Sequence, residues 1–291
     1  MNISERLVWG KSMSKMKIAV CQMDSQNDKW QNLQQAAKLI EKNAREGADL
    51  IAFPETMNFM GKGYRYQAES IPGETTEFLC EQARKHHVWL VSGSFPEKTE
   101  EEKPKNTLVL ISPEGEICCK YSKLHMFDID AGGKSYRESA GNLAGDEIVL
   151  ADTPFGRIGF AICYDLRFGE MFRLMALHGA DLVIMPSSFT YETGKKHWET
   201  LICARAIENG MYMIAPNQIG EKTTMKAYGH SMIVDPYGAV VEVAEDKVCS
   251  IMAEIDTAEV AKARNSIPSL ENRRSDVYDV TSQAVKIYQA K

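Results

Sequence analysis

Apolar runs alternate with amphipathic stretches along most of the chain, and this alternation predicts strands separated by helices. In the first half, three apolar runs are separated by two stretches whose apolar residues recur at helical spacing. Two more apolar runs follow, and Pro113-Glu114-Gly115 between them is typical of a hairpin turn. The strands predicted in this half are 17–23, 49–53, 88–93, 107–112 and 116–122, and the helices are 30–46 and 74–87.

The second half of the chain repeats the same order of elements. Its predicted strands are 157–162, 181–185, 211–215, 231–235 and 239–244, and its predicted helices are 170–178 and 195–209. Each half therefore runs β-α-β-α-β-β. This order predicts an α/β fold with two pseudo-symmetric halves and helices on the outer faces of the sheets. No linker separates the halves, so we expect a single domain.

Three segments lack a clear pattern of apolar positions. Residues 123–156 hold several glycines and are predicted to be a long loop, and a connection of that length usually has a function. We expect residues 1–16 to be an N-terminal extension and residues 280–291 to be a C-terminal tail, with the domain spanning 17–279. The polar segment 273–278 is a candidate for wrapping a partner subunit.

Composition narrows the class of protein. The 291 residues are 44% hydrophobic and 25% charged, as in ordinary globular proteins, and the net charge of -6 argues against nucleic-acid binding. No apolar run is long enough to span a membrane, and residues 1–15 do not resemble a signal peptide. We therefore expect a cytoplasmic protein with no membrane or nucleic-acid partner. The seven cysteines form no CxxC pair and the histidines form no HExxH pattern, so no metal site is expected.

Reactive side chains stand at the ends of three predicted strands. Cys163 follows the run 157–162, Glu55 follows the run 49–53, and Lys123 ends the hairpin strand 116–122. Each residue alone has an ordinary structural interpretation, because thiols are commonly buried and charged residues are commonly solvated. A nucleophilic thiol, however, needs a base and a positive group for the oxyanion, which the other two residues would supply.

The segments around these residues resemble the signature regions of the nitrilase superfamily, the carbon–nitrogen hydrolases. The similar segments are Phe53-Pro54-Glu55, Lys120 to His125, Tyr136-Arg137-Glu138-Ser139, Gly159 to Phe168, Ala204 to Asn209 and Tyr228 to Pro236. Their order and spacing extend the resemblance over residues 17 to about 279. The resemblance implies an α-β-β-α sandwich, a Glu-Lys-Cys triad, no metal or organic cofactor, and assembly as a homodimer or a higher homo-oligomer.

The resemblance also implies a role for each matching residue. Glu55 would be the general base, Cys163 the nucleophile that carries a thioester, and Lys123 the group that stabilises the oxyanion. The backbone N–H of Tyr164 would share that last role. Glu138 matches a second glutamate of the family and would orient Lys123.

The sequence specifies the substrate less closely than it specifies the catalytic residues. Arg167, four residues after Cys163, suits a substrate carboxylate or an ion pair with a nearby acid such as Asp165 or Glu170. Phe189 and Thr190 match a family loop that lines the acyl pocket. The matches are most similar to the ω-amidase and deaminated glutathione amidase branches, which makes a small amide with a carboxylate the expected substrate. A nitrilase and an N-carbamoyl amide hydrolase are the alternatives within the family.

Two readings from other classes remain open at this point. One is a cysteine hydrolase or acyltransferase in which His125 or His230 is the base, although no papain-like context or G-x-S-x-G motif is present. The other is a non-catalytic scaffold that retains the fold. GxGxxG and Walker A motifs are absent, which argues against a nucleotide-dependent enzyme.

Overall fold

The computed structural model describes residues 15–131, 134–223 and 225–290. In chain order its strands are β1 Lys15–Gln22, β2 Leu50–Ala52, β3 Trp89–Glu97, β4 Lys105–Ile111, β5 Ile117–Ser122, β6 Asp128–Ala131, β7 Lys134–Arg137, β8 Ile148–Thr153, β9 Gly156–Phe160, β10 Leu182–Ile184, β11 Tyr212–Ala215, β12 Ile219–Glu221, β13 Lys226–Tyr228, β14 Met232–Val234, β15 Val240–Val243, β16 Cys249–Asp256 and β17 Val285–Gln289. The α-helices are α1 Lys29–Arg45, α2 Glu74–His86, α3 Gly169–Leu177, α4 Tyr191–Asn209 and α5 Ala258–Ser266.

Two large sheets have matching topologies. The first has the strand order β16-β1-β2-β3-β4-β5, and the second has the order β15-β14-β11-β10-β9-β8-β17. In the first sheet β1, β2 and β3 are parallel and β4 is antiparallel to β3. In the second sheet β9, β10 and β11 are parallel and β14 is antiparallel to β11. The predicted β-α-β-α-β-β order of each half is therefore confirmed.

The sheets and helices form four layers, helix–sheet–sheet–helix. Alternate residues of a strand point to opposite faces of its sheet. In β1, Ala19 and Cys21 pack in one core cluster with residues of α1 and α2, whereas Ile18 and Val20 pack in another with residues of the second sheet. Gly159 of β9 lies close to α3, since a Cβ there would stand 2.9 Å from the Met175 sulfur. The implied α-β-β-α sandwich is thus present.

The prediction of a long loop at 123–156 is wrong in part. β6 and β7 form a hairpin there, and β8 joins the second sheet beside β9. Gly132 and Gly133, which favoured a loop, lie outside the described residues. The hairpin was missed because a two-stranded ribbon at the surface shows little apolar periodicity.

Both predicted ends of the chain contribute to the sheets. Lys15 and Met16, which we expected in the N-terminal extension, open β1, and residues 1–14 lie outside the described residues. Within the predicted tail, β17 pairs in parallel with β8 as an edge strand of the second sheet. β12, β13, β16 and α5 were also not predicted. Within the three described segments, no helix has the length and apolar character needed to cross a membrane.

Candidate active site

Loops after β2, β5 and β9 bring the three predicted catalytic side chains together. Glu55, Lys123 and Cys163 line one cavity of about 340 Å³. The other predicted site residues, Glu138, Tyr164, Arg167, Phe189 and Thr190, line the same cavity. Ligands of open α/β sheets bind beyond the carboxyl ends of the strands, and the cavity lies there.

Hydrogen bonds from other residues position both the backbone and the carboxylate of Glu55. The Gln218 side-chain amide donates to the Glu55 backbone carbonyl oxygen at 3.0 Å. The Ser94 hydroxyl oxygen accepts a hydrogen bond from the next backbone N–H, that of Thr56, at 3.2 Å. Gly93 has a φ of +71°, and a Cβ there would lie 2.2 Å from the Pro54 carbonyl oxygen. Glycine at 93 therefore allows β3 to approach the loop that carries the carboxylate.

The ammonium of Lys123 is buried between two carboxylates. Its Nζ donates to Glu55 Oε1 at 3.0 Å and to Glu138 Oε1 and Oε2 at 3.0 and 2.8 Å. Burial alone would lower the pKa of Lys123, but Glu138 and Glu55 outweigh burial and raise that pKa well above its ordinary value. The lysine is thus a fixed positive charge near the Cys163 thiol.

Cys163 stands at a strained turn at the start of a 3₁₀-helix, Cys163–Arg167. Its φ is +49°, a conformation uncommon for residues other than glycine, and its N–H donates to the Pro186 carbonyl at 2.9 Å. Burial raises the pKa of the thiol well above its ordinary value, and the charge of Glu55 raises it further, while Lys123 and the Ser188 backbone N–H oppose the rise. The resting thiol is therefore protonated, and Glu55 is its side-chain hydrogen-bond partner.

The two predicted supporting residues lie beside this centre and line the same cavity. Glu138 Oε2 accepts a hydrogen bond from the Phe127 N–H at 2.7 Å in addition to its contact with Lys123. It therefore connects the ammonium to the β6–β7 hairpin. Tyr164 follows the nucleophile in the first turn of its 3₁₀-helix, where backbone N–H groups lack partners within the helix.

Arg167 lies at the cavity wall without an acidic partner among the residues that the structure describes. Its guanidinium lies 5.8 Å from the ring centre of Tyr164 and 5.6 Å from that of Phe189. Its polar contact is with His197 Nδ1 at 3.4 Å. Asp165, the first alternative partner, is buried and bonded instead to Tyr121, His125 and the Ile162 N–H.

Phe189 and Thr190 are placed by the start of α4. Phe189 is buried against Trp198, with ring centres 4.7 Å apart, and its N–H donates to Asn217 Oδ1 at 3.1 Å. Thr190 caps α4, and its side chain accepts from the Thr193 N–H. Both residues therefore border the cavity just before the first turn of α4.

Several residues of the cavity wall were not predicted. Two methionines and two aromatic residues form much of the apolar lining, and they are Met60, Met225, Phe127 and Tyr136. Phe127 and Tyr136, 5.3 Å apart between ring centres, belong to the hairpin region that was expected to be loop. No periodic pattern marks these positions, because each comes from a connection or, for Tyr136, from a short strand.

The two histidines proposed as alternative bases have other partners. His125 Nδ1 is 2.7 Å from Asp165 Oδ1, and its ring stacks on Phe168. His230 Nδ1 faces the Tyr228 carbonyl oxygen at 2.9 Å. Neither histidine lines the cavity, whereas Glu55 does. A carboxylate is therefore the base that this geometry offers to Cys163.

Among the described residues no group of three or more His, Cys, Asp and Glu is arranged to hold a metal ion.

Comparisons with known proteins agree with the fold and with the motifs. The family model described as Carbon-nitrogen hydrolase matches residues 17–265. The crystal structure of the Caenorhabditis elegans NitFhit protein superposes with a TM-score of 0.87 at 40% identity, covering 91% of this chain and 66% of that one. This chain spans 61% of the NitFhit fusion protein's sequence, and so less than two thirds of its length.

Two shorter relatives match over nearly their whole length. Omega-amidase NIT2 of Bos taurus is 36% identical over 275 residues, which are 93% of this chain and 99% of the relative. Deaminated glutathione amidase of Synechocystis is 39% identical over 263 residues, which are 88% of this chain and 97% of the relative. The motifs, the fold and these relatives agree, and the chain belongs to the carbon–nitrogen hydrolase family of enzymes.

Proposed function

We propose that this protein is an amidase that hydrolyses the terminal amide of a small carboxylate-bearing substrate through a thioester on Cys163. The observation that carries the proposal is that buried Lys123 contacts the carboxylates of Glu55 and Glu138 in the cavity that Cys163 also lines. That arrangement places a base and a fixed positive charge side by side within one cavity. The roles below apply this geometry to amide hydrolysis.

Glu55 is the base that receives the thiol proton. Asn106 Nδ2 and Lys123 Nζ both donate to its Oε1, at 2.9 and 3.0 Å. Oε2 is consequently the oxygen left for the Cys163 thiol. As the proton passes to Oε2, the sulfur attacks the amide carbon and a tetrahedral intermediate forms.

Lys123 and the Tyr164 backbone N–H hold the oxyanion of that intermediate. Glu138 restrains Lys123, so the positive charge is in place before the reaction begins. When the intermediate collapses, Glu55 returns the proton to the leaving nitrogen and ammonia departs. Water deprotonated by Glu55 then attacks the thioester and releases the acid and the thiol.

The guanidinium of Arg167 supports a carboxylate on the substrate. Lys123 is already engaged by Glu55 and Glu138, so it does not serve as the partner of such a carboxylate. Arg167 supplies a further positive charge on the same wall and has no acidic partner among the described residues. Its planar guanidinium suits two hydrogen bonds to a carboxylate.

The size of the cavity supports a small substrate. About 340 Å³ lies near the lower end of the roughly 300–1,000 Å³ typical of small-molecule sites. An ω-amide such as α-ketoglutaramate or succinamate therefore fits our proposal best, in line with the name of the Bos taurus relative. Deaminated glutathione is the second candidate, on the strength of the Synechocystis relative.

Ammonia release from α-ketoglutaramate, succinamate and deaminated glutathione tests the proposal. We expect turnover of at least one ω-amide by the wild type and none by Cys163→Ala. Intact-mass measurement of the wild type, quenched with acid during turnover, should reveal the acyl group on Cys163. Inertness of the wild type toward all three compounds would refute the substrate class, and full activity of Cys163→Ala would refute the mechanism.

We also propose that the protein acts in the cytoplasm as a homo-oligomer. All seven cysteines are free, as expected in a reducing compartment. Apolar side chains that would favour self-association are exposed on β15 and near the C-terminal segment, among them Val241, Ile267 and Val277. Light scattering coupled to size exclusion should give a mass of at least twice 32.6 kDa, and a monomer mass would refute the oligomer.

A further inference from the structure

We propose that Asn106 and Tyr64 form a positioning relay that holds the Glu55 carboxylate charged and aimed at Cys163. The inference rests on the proposed function, because it assigns Glu55 the role of base. Neither residue lines the cavity, and neither belongs to the segments that resemble the family signatures. The relay contacts Glu55 from outside the cavity lining.

Asn106 connects the base to the lysine. It lies in β4 and is 2% exposed. Its side-chain amide Nδ2 donates to Glu55 Oε1 at 2.9 Å. Its backbone carbonyl oxygen accepts from the Lys123 backbone N–H at 2.9 Å. One residue therefore fixes both the carboxylate of the base and the chain that carries the ammonium.

Tyr64 completes the relay from the opposite side of the amide. Its hydroxyl donates to Asn106 Oδ1 at 3.3 Å, so the oxygen of the amide is satisfied while its nitrogen faces Glu55. Burial, followed by the charges of Glu55 and Glu138, raises the pKa of Tyr64 well above its ordinary value. The phenol therefore remains a donor throughout the range in which an amidase would be assayed.

A chain of hydrogen bonds in a buried site polarises each of its members. The Tyr64 hydroxyl strengthens the Asn106 amide as a donor, and that amide stabilises the charged form of the carboxylate. The relay also occupies Oε1, so rotation of the carboxylate away from Cys163 would leave the amide without an acceptor. An unsatisfied buried donor is costly, which restrains that rotation.

The other charged or titratable groups that face this part of the site come from separate elements. Lys123 follows β5, Glu138 follows β7, and Cys163 follows β9. A Tyr64→Phe substitution leaves all three in place and removes one hydroxyl. The matched control is Tyr66→Phe, because Tyr66 lies on the same short helix, Tyr64–Gln67, but is 74% exposed.

The experiment is the pH profile of kcat/KM for Tyr64→Phe, Asn106→Ala and Tyr66→Phe beside the wild type. We expect the acidic limb to move to higher pH by about half a unit in Tyr64→Phe and by about one unit or more in Asn106→Ala. Activity on the plateau should fall less than activity on that limb. Tyr66→Phe should superpose on the wild type.

A limb that does not move in Tyr64→Phe would overturn the relay, whatever the loss of activity. A uniform loss at every pH together with a lower unfolding temperature would also overturn it, since that result describes a structural role alone. Thermal unfolding of each variant is therefore measured in parallel.

A second readout separates the relay from the amidase proposal. Methyl methanethiosulfonate is a small neutral reagent for thiols, and its reaction at Cys163 can be followed by peptide mass spectrometry. If the wild type hydrolyses none of the amides, the proposed function fails and this reaction still reports on Glu55. A shift of its pH dependence in Tyr64→Phe supports the relay, and unchanged dependence overturns it.

Discussion

The two halves of the molecule are alike where their central strands begin and different where those strands end. β2 and β10 each follow a Gly-Ala-Asp sequence, at 47–49 and 179–181. In both halves the glycine has a positive φ and the aspartate holds the neighbouring strand. Asp49 Oδ2 accepts from the Lys17 N–H at 2.7 Å, and Asp181 Oδ2 accepts from the Arg157 N–H at 2.8 Å.

At the carboxyl ends of the same strands the halves diverge. Glu55 and Ser187 each stand six residues after those aspartates. Glu55 lines the cavity, whereas Ser187 is completely buried and its hydroxyl donates to the Met185 carbonyl at 3.2 Å. The repeated topology thus builds the frame at one end of the strands. Different residues at the other end supply the proposed base in one half and the proposed nucleophile, Cys163, in the other.

The largest expected effect tests this divergence directly. Glu55→Gln should lower kcat/KM about a thousandfold or more, because general-base catalysis contributes about 10²–10⁴. Ser187→Ala, at the equivalent position of the other half, should leave kcat/KM within about threefold of the wild-type value, because the proposed mechanism routes no proton transfer through that hydroxyl. Steady-state ammonia release measures both. Comparable losses in the two variants would contradict the division of roles.

The two halves should also differ in the reactivity of their cysteines. Burial is the main cause that raises the pKa of both Cys21 and Cys163, so ionisation alone does not favour either at neutral pH. Cys163 opens into the cavity beside Glu55, whereas Cys21 is fully buried. At pH 7 we expect iodoacetamide to modify Cys163 about a hundredfold faster than Cys21.

Peptide mass spectrometry over time measures this ratio. In Glu55→Gln the rate at Cys163 should fall toward that of Cys21, and it should recover as the pH rises because the raised pKa of Cys163 is then approached. Equal rates for the two cysteines in the wild type would show that access and the base do not distinguish them.

A third prediction concerns Arg167, whose guanidinium is the positive charge that the second half adds to the cavity without an acidic partner among the described residues. Arg167→Ala should raise KM for a carboxylated amide by about ten- to a hundredfold, the range for a lost charge-assisted hydrogen bond, with a smaller change in kcat. Arg137→Ala is the matched control, because that guanidinium also lines the cavity but pairs with Asp130 at 2.8 and 3.0 Å. Neutral amides of similar size should be little affected by either change, and an equal rise in their KM would refute carboxylate binding.

The smallest effect should be the same in both halves. Asp49→Ala and Asp181→Ala each remove a charged acceptor from a backbone N–H, and each should lower the free energy of unfolding by about 1–3 kcal/mol. The corresponding Asp→Asn variants keep an oxygen acceptor and should lose less. Urea titration measures the four variants, and kcat per folded molecule should be unchanged. A large loss in one half alone would show that the two frames are not equivalent.

Much of this organisation was predictable from local patterns. The β-α-β-α-β-β order followed from apolar runs and helical spacing, and Glu55, Lys123 and Cys163 were identified at strand ends within recognisable motifs. The Gly-Ala-Asp repeat before β2 and β10 was a further signal of the two halves in the sequence. β6, β7 and β17 were missed because short surface strands carry few apolar residues.

The partners of the polar side chains were less predictable. Asn106 lies at the start of a strand in a polar stretch that gives no sign of burial, and Tyr64 lies in a connection without periodicity. Asp165 and Glu170 were reasonable partners for Arg167 by proximity in sequence, yet Asp165 pairs elsewhere. Sequence proximity was misleading here because a turn can direct neighbouring side chains to different sides of the sheet.

The sequence by itself determined the order of the elements, the pseudo-symmetric halves, the family and the three residues proposed for catalysis, since these depend on local pattern and motif. Only the tertiary structure decided that Lys123 lies between Glu55 and Glu138, that Arg167 has no acidic partner among the described residues, and that Asn106 contacts Glu55 from outside the cavity lining. Glu55 and Lys123 are 68 positions apart in the chain. Both residues follow strands of the first sheet, β2 and β5, whereas Cys163 follows β9 of the second sheet. Contacts of that kind depend on the order of strands within a sheet and on the packing of the two sheets, which no local pattern of residues specifies.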